Sequence, residues 1–427
     1  MPVLERLAPE LAALQSARPQ SERDAAWLAW LSRRDADIRA RLERGDEDSV
    51  LNLLLFGTSF TRLPRAMNDL SGLRSTRSTD DIVRRRLADL VTGIEAPGAN
   101  ERLQFARTVV ERRGIDPTTD AGRDQLRAYL LALMTRTAGE IESYARTLDT
   151  ARSQGRGELA VRSTLYRDRG LSSDTSIRPD FAIHQTLDAL RAKGLLAPQS
   201  VRRVAVIGPG LDFTDKAGGY DFYPQQTTQP FAVIDSLLRL KLAPASRLTM
   251  TTIDLSARVN GHLRAAQRRA AEQGSYVLVM PRERAANWTS PLLGFWKSAG
   301  GSIGDETRAM AAPAGFDIRA VRVRPDVVQS LHVRDLNVVV ERLDPLPDDE
   351  RFDVVVATNI LVYYDVFEQS LALSNIASML RPGGFQLSNN VLVELPATPI
   401  RSVGHTDAIY SDRPYDRDQV VWYQRLP

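Results

Sequence analysis

Two short apolar runs, each cut off by residues that do not extend a buried strand, constrain this chain most. Val204 to Ile207 stops at Gly208-Pro209-Gly210, and Leu248 to Ile253 stops at Asp254. A fully buried parallel strand reads as such a run and ends where glycine lets the backbone turn. Between the runs, Gln229 to Lys241 carries Phe231, Val233, Ile234, Leu237 and Leu238 at helical spacing. Strand, glycine turn, crossover helix and a strand ending in an acid make half of a nucleotide-binding βαβ unit. The glycines admit a ligand close to the backbone, and the acid accepts hydrogen bonds from a ribose. No third glycine follows at the spacing of that motif.

A chain of 427 residues suggests two domains, at most three. It is 43% apolar and 26% charged, the balance of a globular protein. Its net charge is only +3, with acids and bases interleaved, so no nucleic-acid surface is expected. The bases are nearly all Arg; Lys193, Lys216, Lys241 and Lys297 are the only lysines. No apolar run reaches the ~18 residues of a membrane span. The first residues carry acids from Glu5 onward and no apolar signal core, which fits a cytoplasmic protein. Cysteine is absent, excluding disulfides and thiolate metal sites. His184, His262, His332 and His405 show no metal-ligand spacing, so no metal is expected.

Residues 1–160 read as an all-α helical bundle domain. Ser21 with Asp24 resembles a helix start, followed by a stripe of Ala25, Trp27, Leu28, Trp30 and Leu31. A second helix is expected from Asp46 to Phe56, broken by Gly57. Others follow from Ser78, from Asn100 to Arg113 and from Thr119 to Thr150, the last with Leu126, Tyr129, Leu130, Leu133 and Met134 inward. Residues 161–200 form a linker or lid, with Tyr166, Arg167, Asp168 and Arg169, and then a helix from Phe181 to Lys193.

Residues 201–427 form the second domain. After Gly210 a loop carries Gly218, Gly219, Tyr220, Phe222 and Tyr223 at the carboxyl end of a buried strand, where open α/β sheets bind ligands. Tyr220 and Tyr223 are candidates to wall a substrate pocket, or to plug the core. Ser256 to Gln273 reads as a basic helix and Tyr276 to Met280 as a short strand. Pro281 to Gly315 reads as an irregular insertion pinned by Trp288 and Trp296, and Val321 to Val340 as resumed strand. The end of the chain, through VVWYQRL, reads as an antiparallel edge pair.

A second stretch is more specific. RFDVVVATNILVYYD gives a buried strand with Thr358-Asn359 at its carboxyl end; a helix from Val366 to Leu380 follows, stopped by Arg381-Pro-Gly-Gly384 before the next strand. This strand–ATNILVYYD–helix–LRPGG–strand pattern resembles the class I S-adenosylmethionine-dependent methyltransferases over Val201 to the C-terminus. Within that class, LHVRDLNVVVERLDPLP followed by FDVVVATNILVYYD is similar to the chemotaxis-receptor glutamate (CheR-type) methyltransferases, which also carry a preceding helical domain.

The resemblance implies an α/β fold with a Rossmann-like, mostly parallel sheet and an antiparallel C-terminal edge. It implies S-adenosyl-L-methionine as cofactor and transfer of its methyl group to an O or N acceptor on a small molecule or a protein side chain. Gly208, Pro209 and Gly210 would approach the methionine part, Asp254 and Leu255 would hold the ribose, and Leu336, Asn337 and Val338 would lie by the adenine. Thr358 and Asn359 would sit at the methionine end, and Tyr363, with Asn359, would serve catalysis and face the substrate. Two positions depart from the pattern. Val206 replaces the usual acid two residues before the first glycine, and Thr358 replaces the Arg of the glutamate methyltransferases. The alternative is a catalytically degenerate binding or scaffold protein on the same fold.

Overall fold

The structure, a computed structural model, describes residues 19–66, 77–153, 170–171, 175–213, 220–272, 274–389, 391–413 and 416–427. The proposed lid residues Tyr166 to Arg169, and Lys216, Gly218 and Gly219 of the aromatic loop, lie outside them.

Four helices come first: α1 Gln20–Phe56, α2 Arg77–Glu95, α3 Glu101–Arg112 and α4 Asp120–Ser153. After α5 (Ile177–Ala192) the chain alternates β1 (Arg203–Ile207), α6 (Gln229–Arg239), β2 (Thr249–Asp254) and α7 (Ala257–Ala271). An insert follows: β3 (Tyr276–Glu283), α8 (Ser290–Ser298), β4 (Gly304–Glu306), β5 (Phe316–Val323) and the short α9 (Pro325–Gln329). The chain closes with β6 (Leu331–Asp335), β7 (Phe352–Val356), α10 (Val366–Met379), β8 (Leu380–Ser388), β9 (Ile400–Ile409) and β10 (Arg417–Arg425).

The main sheet has seven strands in the order β6-β2-β1-β7-β8-β10-β9. β6, β2, β1, β7 and β8 run parallel, and β10 pairs antiparallel with both β8 and β9. With the insert left aside, the strands fall in sequence as third, second, first, fourth, fifth, seventh, sixth. The sheet is therefore Rossmann-like and mostly parallel, with an antiparallel C-terminal edge. β1 lies between β2 and β7, where the order reverses, and ligands bind at such a point beyond the carboxyl ends of the strands.

The alternation of side chains along β1 splits its residues between two cores. Val204 and Val206 pack with Phe181, Leu187, Phe231, Leu237 and Leu263 of α5, α6 and α7. Ala205 and Ile207 pack with Leu373 and Ile376 of α10 and with Ile38 of α1. Val206, where an acid was expected, is fully buried in the sheet opposite Thr252 and Val356.

Three expectations need correction. The helices expected to begin near Ser21 and at Asp46 are one helix of 37 residues. Gly45, just before the expected start of the second helix, lies inside this one, and backbone packs on it: a Cβ there would lie 1.9 Å from Leu171 O. Leu171 N also donates to Arg41 O at 3.0 Å. The insert is not irregular, since β3, β5 and β4 form their own antiparallel sheet. Trp296 is buried on it and donates from Nε1 to Met280 O at 3.1 Å. Last, the strand expected through Val340 leaves the sheet after Asp335, so Leu336 to Val338 belong to a loop.

Two buried arginines tie the helices to one another and to the sheet. Arg86 donates to Leu54 O (2.7 Å), Pro64 O (2.9 Å), Leu63 O (3.3 Å) and Gly57 O, taking up carbonyls that the end of α1 leaves free. Arg102 of α3 donates to Phe213 O, Tyr223 O and, at 3.2 Å, Asp212 O. Asp221 completes the junction, accepting from Thr58 N (2.8 Å), Thr58 Oγ1 (2.7 Å) and Ser59 N (3.0 Å). The loop after β1 is thus held by the helical region.

Candidate active site

Beyond the carboxyl ends of β1, β2 and β7 lies a cavity of about 80 Å³. Its floor is backbone. Gly208 and Gly210 adopt φ of +66° and +65°, and Gly208 N donates to Ile253 O at 2.8 Å. Those φ values are open to glycine and disfavoured for other L-residues. Ile207, Ile253, Leu255 and Ser256 also line the cavity.

Asp254 faces the cavity from the end of β2. Its Oδ1 accepts from Ser256 N at 2.7 Å. Burial pushes its carboxyl up to about 6, with the Ser256 and Gly210 amides and Arg258 pulling the other way. A carboxylate in that balance is short of donors, which the hydroxyls of a ribose would supply.

Leu336 and Val338 line the opposite wall. Asn337 between them does not: its side chain is buried, donating from Nδ2 to Asp35 Oδ1 at 2.8 Å and accepting from Val339 N at 3.2 Å. Pro209 is not among the lining residues either. Thr358, Asn359, Ile360, Tyr363 and Tyr364 follow β7 around the rim. Asn359 sits at φ +58°, and its amide donates to Asn389 Oδ1 at 2.8 Å while Asn389 Nδ2 donates back to Asn359 Oδ1. Thr358 Oγ1 accepts from Gln229 Nε2 at 2.9 Å, a neutral bond where the glutamate methyltransferases carry Arg. Burial raises the Tyr364 phenol above its usual range.

The structure thus brings Gly208, Gly210, Asp254, Leu255, Leu336, Val338, Thr358, Asn359 and Tyr363 to one cavity. Tyr220 and Tyr223 go elsewhere. They line a second cavity of about 1020 Å³, and Tyr223 donates its hydroxyl to Asp212 Oδ2 at 2.7 Å. Only a thin wall parts the two spaces. Thr175, Gly210 and Gln229 face the small cavity; Ser176, Asp212 and Thr228, their near neighbours in sequence, face the large one.

Sequence reasoning missed the cover. Leu42 of α1, Leu171 and Thr175 close the small cavity. α1 is clamped across the strand ends by Arg39, which pairs with Asp335 at 3.1 Å, by the Asp35–Asn337 bond, and by Arg41 Nη2 donating to Tyr363 O at 2.6 Å. The one local signal was Gly45 within an otherwise helical stretch.

No family model and no curated protein matches this chain. Solved structures do align with it. A magnesium protoporphyrin IX methyltransferase (ChlM) from Synechocystis PCC 6803, with bound SAM, is 11% identical, covering 57% of this chain and 80% of its own, with a TM-score of 0.27. The glycopeptide N-methyltransferase MtfA complexed with S-adenosyl-L-homocysteine is 12% identical over 59% of this chain and 91% of its own, TM-score 0.29. The CurJ carbon methyltransferase is 14% identical over 100% of this chain and 99% of its own, TM-score 0.27.

Proposed function

We propose that the chain is an S-adenosylmethionine-dependent methyltransferase acting on an O or N acceptor of a small molecule or a protein side chain. The observation that carries this is Asp254, which faces Gly208 and Gly210 across a cavity at the point where the strand order reverses.

The lining fits an adenosyl group in chemistry. Asp254 would accept from both ribose hydroxyls, Leu255, Leu336 and Val338 would flank the adenine, and Thr358 and Asn359 would meet the amino-acid end. In size the narrow cavity, about 80 Å³, falls short, since small-molecule sites run from roughly 300 to 1,000 Å³. Entry therefore requires the cover of Leu42 and Leu171 to lift, and its return would exclude water from the reacting centre.

When bound, S-adenosylmethionine supplies a methyl group on a sulfonium, a reactive centre that needs alignment more than activation. Tyr363 would orient the acceptor at the rim, with Asn359 fixed against Asn389 behind it. A carboxylate acceptor needs no base; an amine or hydroxyl acceptor must give up a proton.

A non-catalytic scaffold is the second reading, favoured by Val206 in place of an acid and by the narrow cavity. Calorimetry separates the outcomes. S-adenosylmethionine titrated into the full chain should give heat, and Asp254→Ala should weaken binding at least tenfold. No heat from a folded protein counts against the enzyme; turnover to S-adenosylhomocysteine with any acceptor excludes the scaffold.

A further inference from the structure

We propose that the larger cavity is the acceptor site and that it receives a small organic amine carried on an aromatic or aliphatic body. This rests on the methyltransferase reading above and names its substrate class. The cavity measures about 1020 Å³ and shares the wall at Gln229 and Thr228 with the cofactor cavity.

Its walls mix apolar and aromatic side chains with the cations Arg65, Arg178 and Arg413 and the acids Glu283 and Asp416. Tyr220 and Phe222 pack edge-on to Phe316, with ring centroids 5.1 and 5.3 Å apart. Such rings accept a cation over their faces. Two carboxyls are set into the wall, Asp180 at 3% exposure and Asp212 at 6%. Asp212 Oδ2 is engaged by Tyr223 and by Gln226 Nε2 at 3.0 Å. Asp180 Oδ1, in the same wall, has no hydrogen-bond partner among the described residues.

A buried carboxyl in that state is costly. Burial pushes Asp180 up to about 8, against a downward pull from the Thr228 hydroxyl and with a smaller push from Asp212. An ammonium group supplies what the site lacks, a donor and a positive charge together. An alcohol supplies one neutral donor. Beside Asp180 and Asp212 a carboxylate or phosphate would meet two acids, and Arg178, on the same cavity wall, already pairs with Asp416 at 2.7 Å, which sets this corner of the site against a glutamate acceptor. In transfer, the ammonium gives one proton to Asp180. The freed lone pair then forms the N–C bond as the C–S bond breaks onto sulfur, and the proton leaves to solvent.

The test titrates 2-phenylethylamine, 2-phenylethanol and 3-phenylpropanoate into the full chain, with and without saturating S-adenosylhomocysteine. The amine should bind at least tenfold more tightly than the alcohol, and the carboxylate should not bind. Asp180→Asn should cost the amine at least tenfold and leave the alcohol unchanged. Phe222→Ala should weaken the amine without touching Asp180. Affinity for S-adenosylhomocysteine should hold in both variants, which also reports that they fold. Equal binding of amine and alcohol, no binding of the amine, or an amine affinity indifferent to Asp180→Asn overturns the assignment. Amine selectivity without any S-adenosylhomocysteine binding would instead sink the cofactor reading and keep the site.

Discussion

Asn337 donates its side-chain amide to Asp35 at 2.8 Å, joining α1 to the loop after β6 over 302 residues of sequence. Asp35 also holds Arg39 at 2.9 Å, and Arg39 reaches on to Asp335. The first helix is therefore latched to the strand ends that would carry the adenine. In Asp35→Ala both bonds go. A hydrogen bond to a charged group contributes about 1.5–3 kcal/mol, so S-adenosylhomocysteine should leave roughly tenfold faster or more. Stopped-flow fluorescence of Trp27 and Trp30, on the same helix, reads the rate. An unchanged rate means α1 is not the cover.

Gly45→Ala sets local propensity against packing. Alanine is better in a helix by about 1 kcal/mol. Yet its Cβ would lie 1.9 Å from the carbonyl oxygen of Leu171, which is backbone and cannot rotate away. The clash should win locally: the helix remains, the segment at Leu171 lifts, and ligand exchange accelerates as in Asp35→Ala. Helical circular dichroism that is unchanged, with exchange that is also unchanged, would contradict this.

Cofactor affinity should depend on Asp254. Burial raises its carboxyl from the ordinary aspartate range to about 6. The folded state thus binds this proton more tightly than the unfolded one, and the group's contribution to stability is lost as pH rises from about 4 to about 6. Binding runs the other way. Ribose hydroxyls donate best to the ionised form, so affinity should fall as pH drops below about 6, by up to about tenfold per unit. Asp254→Asn should bind more weakly and lose that dependence; calorimetry from pH 5 to pH 8 is the check.

Arg102→Met tests the junction between helices and sheet. It strips donors from three carbonyls around the loop after β1. Each buried acceptor left bare costs about 1–3 kcal/mol. A loss of that size should lower Tm by roughly 5 °C or more. No change in Tm would mean that water replaces the guanidinium.

The parallel core was legible because each strand is a solid apolar run with an abrupt end. Val204 to Ile207, Phe352 to Val356 and the LRPGG turn need no partner to be recognised. Asp254 was legible for the same reason, as an acid at the end of such a run. The insert was not: β3 and β5 pair only with each other and β4, so no main-sheet rhythm marks them. The cover was hidden because it depends on backbone contact between Gly45 and Leu171, 126 residues apart in number, and helix periodicity says nothing about that. Asp180 was hidden inside a helix whose other inward residues, Phe181, Ile183 and Leu187, are apolar.

The most direct test is a crystal structure of the full chain with S-adenosylhomocysteine. The ribose should sit on Asp254, the adenine between Leu255, Leu336 and Val338, and the sulfur should face Asp180 with the Gln229 side chain swung out of the wall and Leu42 and Leu171 displaced outward. Adenosyl density elsewhere, or a cavity still closed at saturating ligand with Asp254 bonded only to Ser256, would contradict the account.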